Sequence, residues 1–328
     1  MNLEQLRGFV EIARLGNFTR AAEELHLAQP SLSRQISTLE RELGSDLFHR
    51  ARGNISLTAA GELLLPYARR MLADAASVRR EMAEIAGLSR GRVRLGAPPS
   101  LCASIVSDVV SAFREAHPGI ELEITERGSR RLVAALAEGG LDLALLASSD
   151  AAAASPVSLT RTPLLTEDLV VISSAERPAI CSGRAIALAA VADLPLIAFP
   201  RSYELRAATD AAFAAAGLAA EVVVEGPEMD TVLRFVERGV GVAIVPAMVA
   251  LGRPGLRAVP LATPRMTRTV SLTHRADMAP TRAAAALRDT IIATAERLAG
   301  SGEFVTPWHA EGNVLIPTSS ISADRVNY

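Results

Sequence analysis

The chain has 328 residues, of which 49% are hydrophobic and 21% are charged, so it is long enough for about two or three folded domains and too apolar to be disordered. All 34 basic residues are arginines, which excludes Schiff-base or P-loop chemistry that requires a lysine amine. The two cysteines, Cys102 and Cys181, are too few for a disulfide scaffold. Because the charged N-terminus does not read as a signal peptide and no apolar run is long enough to cross a membrane, we expect a cytoplasmic protein without a membrane partner.

The net charge of −2 is unevenly distributed along the chain. Residues 1–94 hold 14 Arg against 11 Asp plus Glu, a net charge of +3, whereas residues 95–328 carry a net charge of −5. A mildly basic N-terminal part is compatible with a polyanionic partner but is too weak to establish one. The functional assignment therefore depends on the pattern of residues rather than on total charge.

The first 58 residues predict a small helical domain with a hairpin. The expected elements are helices over residues 3–15, 20–25 and 30–43 and a two-stranded hairpin over residues 47–57. Asn17 or Thr19 can cap the second helix, and Pro30 suits the first turn of the third helix. Three helices followed by a hairpin are the layout of a winged helix-turn-helix domain.

A long helical pattern follows over residues 59–90. Its apolar residues recur at intervals of three and four, and polar and basic residues occupy the other face. A helix of roughly 30 residues would be about 45 Å long, too long to bury its apolar stripe on so small a domain. Two partners are open to it, its own domain or the same helix of a second chain, and the length favours a coiled coil with a second chain.

From Arg92 onward, short β-branched segments alternate with helices. Strands are expected at 93–96, 120–125, 141–146, 169–172, 194–199, 222–225, 241–245 and 269–273, and helices at 101–116, 129–138, 203–216, 229–238 and 281–299. This alternation predicts parallel α/β sheets arranged as two lobes with a cleft between them. The last segment, Ser301–Tyr328, has no clear periodicity and is expected to be a loosely ordered tail.

The start of the third helix carries side chains suited to reading DNA, because the second helix of a helix-turn-helix lies in the major groove. Gln29 can pair bidentately with adenine and Arg34 with guanine. Ser31 and Ser33 can reach phosphates or base edges. Arg50 and Arg52, in the predicted hairpin, are placed for contacts with the DNA backbone or the minor groove. Taken alone, a serine-rich helix start is more often a cap and two arginines in a hairpin are more often a solvated turn, so the combination carries the prediction.

Four predicted turns join a strand to the following helix, which is where α/β folds bind ligands. The candidate effector contacts in these turns are Pro99, Ser100, Leu101, Ser129, Arg201, Ser202 and Met229. Arg201 is a candidate carboxylate partner but equally suits a surface position, and Ser129 also suits a plain N-cap. Glu126 facing the cleft would disfavour an anion, so the charge of the ligand stays open.

Four motifs lie within the first 61 residues: FTRAAEEL at 18–25, QPSLSRQI at 29–36, LFHR at 47–50 and LTAAG at 57–61. This dense pattern resembles the signature of LysR-type transcriptional regulators, and the later layout agrees with that family through about residue 299. The resemblance implies a winged DNA-binding domain over 1–58, a linker and dimerisation helix over 59–90, a two-lobed effector domain similar to periplasmic binding proteins over 91–300, and a tail over 301–328 beyond the usual end of the family.

The resemblance also implies a function, which is sequence-specific binding of promoter DNA under the control of a small co-inducer. The DNA contacts that it implies are Thr19, Arg20, Gln29, Pro30, Ser31, Ser33 and Arg34, with Arg50 and Arg52 on the wing. In the family the first effector turn supplies hydroxyl and backbone donors to a ligand carboxylate, a role carried here by Ser100. The implied protein partners are further copies of the chain, as a homodimer or homotetramer, and RNA polymerase. Both activation and repression are compatible with it.

Peroxide-sensing members of that family use a closely spaced cysteine pair, which Cys102 and Cys181 do not match, so a buried structural Cys102 is expected. Two other classes share the two-lobed scaffold. An enzyme would need a nucleophile or an acid/base pair, and no GxSxG or HExxH motif is present. The five histidines are scattered, so we expect no catalytic residue, metal or cofactor. A solute-binding protein is contradicted by the missing signal peptide and by the N-terminal 90 residues.

Overall fold

The computed structural model describes residues 1–51, 54–85, 91–147, 159–262, 264–301 and 304–308. The elements of the N-terminal domain are α1 (Leu3–Leu15), α2 (Phe18–Glu24), α3 (Gln29–Leu43), β1 (Phe48–Ala51) and β2 (Asn54–Leu57). The strands β1 and β2 form an antiparallel hairpin, which is the wing. The predicted winged helix-turn-helix is therefore confirmed.

Local side-chain chemistry sets the helix ends in this domain. Asn2 caps α1 in a reciprocal capping box with Gln5, and Gly16 ends the helix with a left-handed φ of 62°. Of the two predicted caps for α2, Asn17 is the one used, and its side chain accepts a 3.0 Å hydrogen bond from Arg20 N. The apolar faces of the three helices then meet in one core, which includes Leu6, Phe9, Ile12, Leu32, Ile36 and Leu39.

The long helix α4 (Ala59–Ile85) begins against the wing. Thr58 Oγ1 donates to Asp46 O at 2.7 Å and accepts from Gly61 N at 3.1 Å. A Cβ added at Gly61 would lie 2.2 Å from Leu47 O, so only glycine permits this close approach. Ala68 is fully buried in the core of the N-terminal domain. The first turns of α4 thus pack on their own domain, one of the two alternatives that the sequence leaves open.

A stripe of large apolar residues on α4 remains exposed. Its members are Leu63, Tyr67, Met71, Val78 and Met82, whose exposed fractions run from 36% to 67%. We call this set the apolar stripe. Its spacing places the five side chains along one side of the helix.

The effector domain begins at Arg92. Its elements are, in chain order, β3 (Arg92–Ala97), α5 (Pro99–Cys102), α6 (Ile105–Ala116), β4 (Glu121–Glu126), α7 (Ser129–Ala137), β5 (Leu143–Ala147), β6 (Leu159–Ser174), α8 (Leu188–Ala192), β7 (Leu196–Ala198), α9 (Glu204–Ala215), β8 (Val222–Glu225), α10 (Met229–Glu237), β9 (Ala243–Pro246), β10 (Leu256–Pro260), β11 (Thr267–Arg275), α11 (Arg282–Ser301) and β12 (Val305–Pro307). Lobe I contains β3 to β5, α5 to α7 and α11, whereas lobe II contains α8 to α10 and β7 to β10. The two-lobed α/β architecture is confirmed.

The prediction of parallel sheets was wrong for most of this domain. Among the described strands, parallel ladders join only β3 to β4, β3 to β5 and β7 to β8. The large sheet has the order β10-β6-β11-β5-β3-β4, and β6 is antiparallel to β9, β10, β11 and β12. The reason is that the chain leaves lobe I along β6 and returns along β11, so the two crossing strands run in opposite directions.

The crossing strand β6 is 16 residues long, although the sequence predicts only residues 169–172. The elements α8, β10 and β12 are also absent from the sequence prediction, and the helix expected over 101–116 is divided into α5 and α6. Within the expected tail, β12 pairs with β6 and Val305 is buried, while residues 309–328 lie outside the described part. Within the described ranges, no helix is both long and apolar enough to span a bilayer.

The contact between Gly61 and the wing gives a test of packing. We expect Gly61→Ala to lower the free energy of unfolding by about 1–3 kcal/mol, because the new methyl group overlaps a backbone oxygen. Gly300 in α11 is the matched control, since a Cβ there meets nothing within 4 Å. Gly300→Ala should stabilise by roughly 0.5–1 kcal/mol through helix propensity. Urea unfolding followed by circular dichroism measures both, and equal effects would contradict the packing argument.

Candidate DNA interface and effector cleft

The N-terminal end of α3 presents polar side chains to solvent. Gln29, Pro30 and Arg34 are exposed, and Ser31 and Ser33 are half-buried. Gln29 Nε2 donates to Ser33 Oγ at 3.0 Å, and Arg34 Nε donates to Pro30 O at 3.4 Å. The N-cap of α3 is Ala28, so no side chain covers the positive end of the helix dipole. A surface of this kind can accept phosphate oxygens and base edges.

The other candidate DNA contacts lie on α2 and on the wing. Thr19 and Arg20 are exposed in the first turn of α2. Arg50 belongs to β1, opposite Ile55 in the hairpin. The side chain of Arg50 and the whole of Arg52 lie outside the described residues, so their directions remain sequence-based expectations.

The base of the effector cleft contains a buried ion pair that no motif in the sequence predicts. Arg268 Nη1 donates to Ser100 Oγ at 2.7 Å, and Arg268 Nε donates to Glu167 Oε1 at 2.8 Å. The second carboxylate oxygen of Glu167 accepts from Met248 N at 3.0 Å, and this carboxylate is fully buried. The pairing and its hydrogen bonds offset the cost of burying the two charges, and they tie the first turn of lobe I to the crossing strands.

A second polar contact joins the lobes across the cleft. Ser129 Oγ, in the first turn of α7 in lobe I, donates to Glu204 Oε2, in the first turn of α9 in lobe II, at 2.8 Å. Ser129 is fully buried. Because each residue belongs to a different lobe, this hydrogen bond forms only when the lobes are close together.

Carboxylates from both lobes give this part of the cleft a negative potential. Burial, and then the charges of Glu126 and Glu228, raise the pKa of the Tyr203 hydroxyl. Burial, and then Glu126, raise the pKa of the Cys102 thiol to about 12. Cys102 and Cys181 are both free thiols and belong to lobe I and lobe II, respectively.

The remaining candidate effector residues occupy different environments. Pro99 is half-buried in the first turn of α5, and Leu101 is fully buried in the core of lobe I. Met229 is buried in the core of lobe II, at the first residue of α10. Arg201 and Ser202 are exposed in the turn before α9. The structure thus brings Ser100 and Ser129 into polar contacts of the cleft, whereas Leu101 and Met229 face the cores.

No local sequence pattern indicates the roles of Arg268, Glu167 and Glu204. Arg268 lies on a strand 101 residues from Glu167 in the chain, and neither residue belongs to a turn motif. Only the register of β6 against β11 places them opposite each other. In the part of the chain that is described, no group of three or more His, Cys, Asp and Glu residues has the spacing of a metal site.

A winged helix-turn-helix with an exposed polar helix, joined by a long helix to a two-lobed α/β domain, is the architecture of a DNA-binding regulator that responds to small molecules. Two family models match the chain. The model described as "Bacterial regulatory helix-turn-helix protein, lysR family" matches residues 3–62, and "LysR substrate binding domain" matches residues 86–296.

Comparison with known proteins leads to the same assignment. The nitrogen assimilation regulatory protein nac of Klebsiella aerogenes is 30% identical over 303 residues, which cover 90% of this chain and 96% of that protein. The HTH-type transcriptional regulator IlvR of Caulobacter vibrioides is 31% identical over 288 residues, which cover 86% of this chain and 95% of that protein. A full-length single-site variant of OxyR from Pseudomonas aeruginosa superposes with a TM-score of 0.67 at 25% identity, covering 89% of this chain and 94% of that one.

The chain belongs to the LysR family of bacterial transcriptional regulators. It is a sequence-specific DNA-binding regulator controlled by a small molecule bound by its effector domain. Members of this family are transcriptional regulators rather than enzymes.

The environment of Cys102 predicts low reactivity. A thiol with a pKa of about 12 is only about one part in ten thousand ionised at pH 8, and the thiolate is the nucleophile. We therefore expect iodoacetamide to label Cys102 slowly in the folded protein and rapidly in urea, as measured by mass spectrometry of its peptide. Glu126→Gln should speed the folded reaction, because it removes a charge that raises the pKa. Equal labelling rates with and without urea would contradict this assignment.

Proposed function

We propose that α3 reads promoter DNA through base contacts from Gln29, Ser33 and Arg34, with Pro30 and Ser31 against the sugar-phosphate backbone. The observation that carries the proposal is the exposed, uncapped start of α3, where Arg34 projects beside the hydrogen-bonded Gln29 and Ser33 side chains. Arginine and glutamine present the paired donors and acceptors that distinguish guanine and adenine in the major groove. The internal hydrogen bond between Gln29 and Ser33 would be exchanged for base contacts.

The positions on α2 and on the wing would anchor the domain rather than read sequence. Thr19 and Arg20 are exposed beside α3, and the hairpin carries Arg50 and Arg52. Contacts from such residues to phosphates fix the orientation of the recognition helix. An arginine in the wing can also enter a narrow minor groove.

The effector would bind between the lobes, against Ser100 and Ser129. Arg268 donates a hydrogen bond to Ser100 Oγ. The Ser100 hydroxyl and the Arg268 guanidinium therefore lie side by side at the base of the cleft, as two donor groups suited to a carboxylate. A ligand that reaches Ser129 would replace Glu204 there. Pro99, Leu101 and Met229 would contribute backbone atoms or apolar contact, and Arg201 and Ser202 would line the entrance. A ligand carboxylate would have to avoid Glu126 and Glu228, so its place is at the base of the cleft.

The domain limits that follow from this assignment are 1–58, 59–90, 91–300 and 301–328. The apolar stripe on α4 would pair with the same stripe of a second chain, since a helix with such a face buries it in a coiled coil. Effector domains would pair further into a tetramer on DNA. RNA polymerase would be the partner through which bound protein changes transcription.

The decisive experiment is to sequence genomic fragments retained by the purified protein across a salt series. A recovered pseudo-palindromic site, bound at salt concentrations that release random DNA, would support the regulator. Binding without sequence preference would contradict sequence reading by α3. Genes next to the recovered sites would then nominate effectors for calorimetry.

The role of Arg34 predicts a change in specificity. We expect Arg34→Ala to reduce the ratio of target to random DNA affinity by roughly tenfold or more, because a bidentate base contact is worth about 1–3 kcal/mol. Arg41→Ala is the matched control, because Arg41 lies in the last turn of α3 and donates to Thr38. Fluorescence anisotropy with both DNAs measures the ratio. An unchanged ratio for Arg34→Ala would refute the base-reading assignment.

The apolar stripe predicts a change in oligomeric state. Val78→Asp places a charge in the proposed helix pair, and we expect it to weaken self-association at least tenfold because a buried unpaired carboxylate is costly. Arg79→Ala changes the neighbouring exposed residue outside the stripe and should have little effect. Analytical ultracentrifugation over a concentration series gives both constants. Equal constants for the two variants would show that the stripe is not the interface.

A further inference from the structure

A short segment after helix α11 lies across the middle of the effector domain. It comprises residues 304–308 and contains β12 (Val305–Pro307). We call these residues the C-terminal segment. The match to the model of the effector domain ends at residue 296, so the segment lies beyond the part of the chain that the family model describes. Its role therefore depends on contacts that this chain makes for itself.

The C-terminal segment covers one edge of β6 where this strand crosses between the lobes. Residues 165–167 of β6 pair with β12 and also with β11. Because a strand has only two hydrogen-bonding edges, β11 and β12 lie on opposite sides of β6 there. Just beyond this ladder, Asp168 N donates to Phe304 O at 2.9 Å. The crossing strand is thus held along both of its edges at this point.

Val305 lies beside the buried ion pair at the base of the cleft. It is the β12 partner of Glu167, whose β11 partner is Arg268. Directly opposed residues of antiparallel strands project from the same face, with Cβ atoms about 4.5–5.5 Å apart. Val305 is 1% exposed, so its side chain keeps water from one side of the Glu167 carboxylate. Exclusion of water strengthens the attraction that holds Arg268 against Ser100.

Neighbouring residues of the C-terminal segment pack on different lobes. Val305 belongs to the core of lobe I, together with Leu165 and Val270. Phe304 packs against the core of lobe II, which includes Met229. A rotation of one lobe relative to the other would separate Phe304 from lobe II or pull β12 away from β6. The segment therefore favours the arrangement of the lobes in which both contacts are made.

The C-terminal segment ends in a natural reporter of its own position. Pro307 is the last residue of β12, opposite Leu165, and it has no N–H group with which to extend the ladder. Trp308 follows it, is half-buried, and is the single tryptophan of the chain. Its fluorescence therefore measures whether the segment is docked, without an added label.

We propose that the C-terminal segment positions the effector site, because it holds Glu167 in place and joins the two lobes. The inference rests on the proposed function, since it takes Ser100 and Arg268 to be the base of that site. The hydrogen bond from Ser129 to Glu204 forms in the arrangement that the segment favours. An effector would therefore meet a cleft whose width depends on residues outside the family match.

Docking of the segment is tested first, on full-length protein. V305D places a second carboxylate beside Glu167 in a buried position, which is costly without a partner. We expect β12 to leave β6, so that the emission of Trp308 shifts to longer wavelength and acrylamide quenches it more strongly. T306D is the matched control, because it introduces the same charge at the next residue, which is exposed. It should leave the emission unchanged.

The arrangement of the lobes is then measured by the distance between two spin labels. The labels are attached to E115C on α6 in lobe I and to A214C on α9 in lobe II, both at exposed positions, in protein that also carries C102S and C181S. We expect V305D to lengthen and broaden the distance distribution, while the far-UV circular dichroism stays the same. A residue that only adds stability would leave the distance unchanged.

Two further comparisons separate the contacts and allow for a failure of V305D to fold. F304A removes the contact with lobe II and keeps the ladder, so it should broaden the label distance while Trp308 remains docked. A chain that ends at residue 303 should broaden the distance as V305D does. A chain that ends at residue 308 keeps the segment and should give the distance of the full-length protein.

Two outcomes would overturn the proposal. One is a Trp308 emission that does not respond to V305D. The other is a label distance that stays constant in V305D, in F304A and in the chain that ends at residue 303. Neither measurement uses DNA or an effector, so a protein that fails to select DNA sequences would refute the proposed function and leave this result standing.

Discussion

The register of β6 against β11 positions the charged groups at the base of the effector cleft and at the contact between β11 and helix α4. These are the strands that cross between the lobes, and their antiparallel ladder places Glu167 opposite Arg268. If the ladder slipped by one position, every side chain of one strand would point to the other face of the sheet. The ladder therefore aligns the base of the effector cleft, and it carries Arg275 to the far end of β11, against the linker helix.

The 34 strongly basic residues of the chain are all arginines, and the planar guanidinium group shapes several contacts between its elements. Arg94 with Asp142, Arg265 with Asp168, and Arg275 with Asp277 each use Nε and Nη2 against one carboxylate. This side-on pairing requires a defined angle as well as a distance, which a lysine ammonium would not impose. Such pairs select one arrangement of neighbouring elements, because a displaced arginine leaves a carboxylate without its partner.

The sequence predicts elements that depend on nearby residues better than elements that depend on residues far away in the chain. In the N-terminal domain the helices are set by nearby residues, such as Asn2 and Gly16, and the apolar spacing predicts their extent. The strand β6 shows the opposite case. Residues 159–168 mix polar residues with Pro163 and carry no simple alternation, yet they form a strand because β11 lies beside them in the folded chain. Long-range pairing of this kind leaves little trace in a local pattern.

Motifs and periodicity are local properties of the chain. They therefore suffice to predict the winged helix-turn-helix, the long linker helix, the division into a DNA-binding and a two-lobed part, and the family. The sequence also nominated Ser100 and Ser129 as cleft residues. The folded chain adds the polar partners of these serines, Arg268 and Glu204, and the contact of one face of α4 with lobe I. These contacts join residues up to 207 positions apart, and their formation depends on strand register and helix packing rather than on the neighbouring sequence.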